Sequence, residues 1–213
     1  LTLHEIARAA RARLPQGPWD YLAGAAETET TLRRNRHSLD TLALRPRVCR
    51  DVSSVDTGVE LLGERLELPV MLAPVGSVET FVAGGGETAA KGAARAGAAQ
   101  MLSCVCNPGL EAVAAAADNL KIYQLYVRGD DSAIDDEVER AVAHGYKAFA
   151  ITVDTAHYSR RERDLDNRFI KPWRQRAVGH NFQASFSWDN VKRFKDKHAI
   201  PLILKGIMTV DDA

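Results

Sequence analysis

The chain carries no excess of either charge: Lys+Arg and Asp+Glu stand at 28 each. That balance removes the electrostatic reason to expect nucleic acid or an anionic membrane as a partner. No apolar run approaches the roughly 20 residues of a membrane-spanning helix. The N-terminus lacks the charged-then-apolar pattern of an export signal, so a cytoplasmic location is expected, with peripheral membrane association left open. Cysteine is scarce and odd in number, at Cys49, Cys104 and Cys106. Cys104 and Cys106 form a C-x-C pair with no second pair and no histidine at zinc-finger spacing, so reduced thiols are expected and no metal site. No G-x-G-x-x-G follows the first strand, and Gly84-Gly85-Gly86 reads as a turn before a helix.

What remains is ordinary globular composition, 46% apolar and 26% charged, in 213 residues that suffice for a sizeable core. Thr2 and Glu5 make a capping-box pair ahead of the helical stripe Leu3, Ile6, Ala10 and Leu14. Pro18 predicts the start of a second short helix ending at Gly24, and a third runs from about Glu29 to Leu42 with Leu32, Leu39 and Leu42 inward. Residues 44–68 read as irregular or hairpin-like, with Gly58 and Gly63 as turns.

Strands then alternate with helices. The strands are Pro69–Pro74, Gln100–Ser103, Lys121–Val127, Ala148–Thr155 and Pro201–Gly206. The helices between them are Glu87–Ala99, Leu110–Ala117, Asp131–His144 and Trp188–His198, with Met208–Ala213 as the opening of one more. The alternation predicts right-handed βαβ units and a parallel sheet. The fold class expected is α/β, a (β/α)8 TIM barrel with an N-terminal helical extension and about five of eight strands present. The expected division is 1–68, helical segment and barrel lead-in, and 69–213, the first five βα units, with the chain stopping in mid-barrel.

In such folds ligand groups gather at the C-terminal ends of strands. Those ends carry Pro74-Val75-Gly76, Ser103, Gln124 with Tyr126, Thr152 with Asp154, and Lys205. Hydroxyls, an amide and an ammonium suit a flat, polar, hydrogen-bonding ligand better than a metal. Arg161, in the charged run Arg160–Asp164 after the fourth strand, has the geometry to clamp a carboxylate bidentately. Each residue also has a plain structural reading: Tyr21 as half-buried core, Ser103 as a cap, Lys205 paired with Asp154, the arginine run as a solvated loop.

Taken together the pieces resemble the FMN-dependent α-hydroxy acid dehydrogenase/oxidase family. The match rests on Asp20-Tyr21, Gly24-Ala25, Asn35-Arg36, Leu72-Ala73-Pro74, Leu102-Ser103, Tyr123-Gln124-Leu125-Tyr126, Thr152-Val153-Asp154, Arg160-Arg161-Glu162-Arg163-Asp164, Asn167-Arg168-Phe169 and Leu204-Lys205-Gly206, in order along nearly the whole chain. The resemblance implies oxidation of a small L-2-hydroxy acid, of the lactate, glycolate or mandelate kind, to the 2-oxo acid with FMN as cofactor. Oxygen or another acceptor would then reoxidise the flavin, and the protein would be a homo-oligomer, often a tetramer.

By the same resemblance the Pro74-Val75-Gly76 backbone lies along the flavin, with open space beside Gly76. Ser103, Gln124 and Thr152 bind its polar edge, and Lys205 faces its pyrimidine end. Tyr21 and Arg161 hold the substrate carboxylate, Tyr126 contacts the substrate hydroxyl, and Asp154 orients the base. The resemblance makes that base the histidine of a His-Gly-Gly-Arg motif after a sixth strand, so both it and the FMN phosphate site are expected beyond residue 213. His157, three residues past Asp154, is the histidine nearest this pocket in sequence, with unpromising geometry. Two departures from the family are the short loop between Phe169 and Trp188, and Val82-Ala83-Gly84-Gly85-Gly86-Glu87 in place of a His-Pro-acid-Gly-Glu stretch. The alternatives are another FMN or phosphate-binding barrel, such as a type 2 isopentenyl diphosphate isomerase, and an inactive half-barrel fragment.

Overall fold

The computed structural model describes residues 2–171 and 179–213. In chain order its elements begin with α1 (Leu3–Arg13), α2 (Gln16–Ala23), α3 (Thr30–Asp40), β1 (Val59–Leu61), β2 (Glu64–Leu66) and β3 (Met71–Leu72). They continue with α4 (Gly85–Arg95), β4 (Ala99–Ser103), α5 (Leu110–Ala116), β5 (Lys121–Leu125), α6 (Asp131–Ala143) and β6 (Ala148–Thr152). The last are α7 (Glu162–Asp166), α8 (His180–Ser185), α9 (Trp188–Lys197) and β7 (Leu202–Lys205).

Strands β3-β4-β5-β6-β7 form one sheet in that order, every neighbouring pair parallel. The three inner strands are buried at every position, their polar residues included, as strands covered on both faces are. Side chains still alternate between two faces. On one face Leu102, Tyr123, Leu125, Phe149 and Ile151 pack against Ala90 of α4, Leu110 and Val113 of α5, Ile134 and Val138 of α6 and Phe194 of α9. On the other, Met101, Ile122, Ala148 and Ala150 form a smaller apolar layer with Leu66 of β2. A doubly wound sheet covers both faces with helices. Helices on one face only are the winding of a (β/α)8 barrel, as the sequence predicts.

Phe149 anchors the helical side: it is wholly buried, with the rings of Tyr123 and Phe194 each centred 5.7 Å away. Burying it contributes about 2–3 kcal/mol.

The chain divides into two compact units, one built from residues up to Asp56 with Tyr158–Lys171, the other from Thr57–His157 with the residues after 178. This differs from a single break at 68/69. The β1–β2 hairpin goes with the sheet because Leu66 packs into its inner layer, and the charged run at 160–164 goes with the N-terminal helices. Part of that run is helical, as α7, where a loop was expected.

Local chemistry explains the other differences. Thr2 and Glu5 do form the capping box of α1. Helix α2 begins at Gln16 and not at Pro18, with Pro15 as its N-cap; a proline in the first turn lacks only an N–H that has no helical partner anyway. Helix α3 buries none of its residues, and Leu32, Leu39 and Leu42 are 40%, 61% and 75% exposed, so the inward placement expected for them does not hold. Periodicity shows which residues share a face and not what that face meets. Helix α4 stops at Arg95, short of Ala99, because Gly97 takes a φ of +59° and Ala99 opens β4. Strand β3 is only two residues long and half-exposed where a buried strand was expected, since it is a sheet edge with one neighbour. Residues 208–213 form a turn, with Thr209 Oγ1 donating to Asp212 at 2.7 Å, and not the start of a helix. Of the 169–188 loop, residues 172–178 lie outside the described residues.

Candidate functional site

The strand register brings four predicted residues onto one face of the sheet. Ser103 pairs with Gln124 and Thr152 with Lys205 across the ladders, while Gln124 pairs with Ala150, two residues before Thr152. Paired residues share a face, as do residues two apart on one strand. Ser103, Gln124, Thr152 and Lys205 therefore form a polar row at the C-terminal ends of β4 to β7, on the face of the small apolar layer.

Within that row Gln124 is wholly buried and donates Nε2 to Thr152 Oγ1 at 2.8 Å. Its other amide atom, Oε1, is buried without a partner. A buried acceptor left unpaired costs about 1–3 kcal/mol. Because the Gln124 amide occupies a lone pair of Thr152 Oγ1, the threonine hydroxyl keeps its hydrogen to donate elsewhere. The pair thus offers one acceptor beside one donor, the complement of a ring edge with an N–H next to a carbonyl. That is the edge of a flavin pyrimidine ring, so these residues fit FMN. Ser103, 2% exposed, adds a hydroxyl that accepts a long bond of 3.4 Å from Val105 N. Lys205 is half-buried at the end of the row, and among the described residues no ion pair joins it to Asp154.

The Pro74-Val75-Gly76 segment follows β3, where the N–H of Val75 bonds to the Ala73 carbonyl at 2.9 Å. The space expected beside Gly76 is occupied: a Cβ there would stand 2.7 Å from Val105 Cγ2. Ser77 comes next with a φ of +57° and no exposure, its N–H bonded to the Val105 carbonyl at 2.9 Å. Nothing in the sequence marked Val105 as the wall of this turn, since its contact partner lies 29 positions away in a different βα unit.

Tyr126 and Asp154 lie just past β5 and β6. The Tyr126 backbone N–H bonds Cys104 Sγ at 3.3 Å, and Arg128 Nη2 bonds the same sulfur at 3.3 Å. Burial pushes the Cys104 thiol above its ordinary value, outweighing the lowering by Arg128; the group is a packed thiol and not a nucleophile. Asp154 is exposed, as is His157.

The other unit holds Tyr21 and Arg161 together. Arg161, the N-cap of α7, donates Nη2 to the carbonyls of Tyr21 (2.6 Å) and Gly24 (2.8 Å), and its Nε lies 3.2 Å from Asp164. Those carbonyls belong to the unsatisfied C-terminal end of α2, where a cation is favoured. The guanidinium also stands 5.0 Å from the Tyr21 ring centre, with Lys171 Nζ at 4.5 Å from the same ring. Both Nη2 hydrogens are thereby used, and the bidentate fork expected from the sequence is turned toward α2, leaving Nη1 as the edge for a carboxylate. Asp20, buried on α2, accepts from Gln16 and from Asn167 at 2.6 and 2.7 Å. Two of the matched motifs are thus joined by one hydrogen bond.

Residues 10–213 match the family model of FMN-dependent dehydrogenases. Glycolate oxidase 1 of Oryza sativa subsp. indica is 31% identical over 226 residues, covering 96% of this chain and 61% of that protein. Glycolate oxidase of Spinacia oleracea is 30% identical over 233 residues, covering 99% and 63%. Among solved structures, a mandelate oxidase variant with benzaldehyde superposes with a TM-score of 0.90 at 34% identity, over 99% of this chain and 63% of that one. Another, with a C4a-OH-FMN adduct, gives 0.87 at 33% identity, over 98% and 63%. The chain therefore spans somewhat over three-fifths of the length of the relatives it matches.

Proposed function

The chain belongs to the FMN-dependent dehydrogenase family, and from that premise we propose that it takes part in oxidising a small L-2-hydroxy acid to the corresponding 2-oxo acid. The observation that carries this reading is the Gln124–Thr152 pair, with its unpaired buried acceptor, in one row with Ser103 and Lys205. FMN, when bound, supplies the two-electron acceptor.

The chain's own residues bind and orient. Gln124, Thr152 and Ser103 would hold the ring's polar edge, the amide oxygen as acceptor and the two hydroxyls as donors. Lys205 places a fixed positive charge at the end of the row, where negative charge on the cofactor is stabilised without reorganisation. The Pro74-Val75-Gly76 backbone lines the ring. The resemblance gives Tyr21 and Arg161 to the substrate carboxylate, Tyr126 to the substrate hydroxyl, and Asp154 to positioning and charge-stabilising the base that removes a proton. The resemblance gives that base to a histidine after a sixth strand. The described sheet has five, and no described residue takes that step in this reading.

The test is the visible spectrum of the purified protein before and after anaerobic addition of a panel of 2-hydroxy acids. The expected result is a yellow protein bleached by an L-hydroxy acid. A yellow protein that no hydroxy acid bleaches would move the reading to another flavin barrel, and a protein that stays colourless with added FMN would overturn it.

A further inference from the structure

Gly206 follows Lys205 at the end of β7 with a φ of +119°, a region that side-chain-bearing residues rarely enter. A Cβ built on it would stand 2.6 Å from Asp154 Cγ, 2.7 Å from Asp154 Cβ and 2.9 Å from Oδ1. The ladder brings the two residues together: Thr152 pairs with Lys205, and the N–H of Val153 bonds to the Lys205 carbonyl at 2.9 Å. One residue past Lys205 and two past Thr152, the bare backbone of Gly206 lies against the side chain of Asp154. Among the described residues, no hydrogen bond or ion pair holds the Asp154 carboxylate, which is otherwise open to solvent. The close approach of Gly206 is thus a steric restraint on this carboxylate's direction.

We propose that Gly206 is a positioning residue whose missing side chain gives Asp154 its seat. The inference rests on the reading of Asp154 as the group that orients the base. Two separate demands fall on Gly206, a positive φ and a close approach, and the chain contains a position with a positive φ and no close approach. Gly145 has a φ of +77° with no atom within 4 Å of an added Cβ, so Gly145→Ala measures backbone strain alone. Asp154→Gly removes the three atoms nearest to a new Cβ; Asp154→Ala would leave the contact at 2.7 Å.

The experiment is a double-mutant cycle on the holoenzyme, followed by thermal melting and by steady-state kinetics with a hydroxy acid that the wild type turns over. Gly206→Ala is expected to lower Tm beyond the Gly145→Ala control by on the order of 4 °C. In the Asp154→Gly background, where only the backbone strain at a φ of +119° remains, the same change is expected to cost clearly less than in the wild type. That background also keeps the cycle readable if the single variant folds poorly. Gly206→Ala should reduce kcat about ten-fold or more with KM within about two-fold, as loss of an interaction made chiefly in the transition state does, while Gly145→Ala leaves both unchanged. An equal Tm loss in both backgrounds would overturn the contact. A kcat lost on Asp154→Gly but kept on Gly206→Ala would overturn the positioning role and leave Asp154 its own. A kcat kept on Asp154→Gly would instead sink the reading of Asp154 on which the inference stands.

Discussion

Gln124 and Thr152 stand on neighbouring strands and share a hydrogen bond, Nε2 to Oγ1 at 2.8 Å, in a place where neither side chain is more than 3% exposed. The bond fixes the polarity of the site, because it turns the amide's NH2 toward Thr152, using one of its two donors, and leaves its acceptor, Oε1, bare. Gln124→Leu should therefore separate folding from binding. The variant loses a buried acceptor that has no partner, so the apo protein should melt within a few degrees of wild type. FMN loses a bond worth about 1.5 kcal/mol, roughly a ten-fold weaker Kd. Titration by quenching of flavin fluorescence reads this directly, and an unchanged Kd would remove Gln124 from the cofactor site.

How much of this was legible beforehand follows from what a sequence encodes locally. Ser103, Gln124, Thr152 and Lys205 were legible as strand-end residues because strand length and period are local, and a parallel sheet carries its ends to one side. The bond between Gln124 and Thr152 was not, since it depends on the register of β5 against β6 across a separation of 28 positions. Val105 and Gly206 act through close approaches to Gly76 and Asp154, and no spacing rule predicts which backbone a given side chain will touch. The leucines of α3 failed in the opposite way: their stripe was real, but nothing local says whether a stripe is covered.

Phe149 is the point where sheet and helices meet, and truncating it should be among the costliest single changes. Its ring contacts Tyr123 on β5 and Phe194 on α9. Phe149→Ala should lose about 3–5 kcal/mol and Phe149→Leu less than half of that. Urea denaturation followed by circular dichroism measures both. A loss below about 1 kcal/mol for the alanine variant would mean that the site collapses around the gap.

Asp135 on α6 is the electrostatic clasp to α9. It accepts from Arg193 at 3.1 and 2.6 Å and from Lys197 at 2.6 Å, and His198 Nε2 lies 2.7 Å from Oδ1. The Arg193 hydrogen bonds, opposed by burial and helped by Lys197 and His198, hold this carboxyl well below the usual carboxylate range. A depressed folded-state value gives stability that is complete above the unfolded value near about 3.9 and is lost as pH falls below it toward the folded one. Asp135→Asn should accordingly lose about 2 kcal/mol at neutral pH. The gap to wild type should narrow below about pH 4, where the wild type alone is taking up this proton. Urea midpoints at neutral and acid pH test it, and a gap that is constant across that range would show the clasp to be packing and not charge.

Arg161 carries two duties that substitution can separate. Its Nη2 ties the carbonyls of Tyr21 and Gly24 at the end of α2, and its Nη1 is the edge proposed for the substrate carboxylate. Lysine presents its three donors from a single point and has no planar fork, so Arg161→Lys cannot reproduce the geometry that ties both carbonyls through Nη2 and presents Nη1 to a ligand. It should raise KM for the hydroxy acid while keeping part of the helix tie. Arg161→Met should raise KM further, by about ten-fold or more, and speed amide exchange over residues 20–25, where the tie is lost. The Kd for FMN should stay near wild type in both, because the residues proposed to hold the ring belong to the other unit. A methionine variant whose exchange rises while KM does not would make Arg161 a helix clasp only. The carboxylate would then need another cation, and Lys171, 4.5 Å from the Tyr21 ring centre, would be the residue to change next.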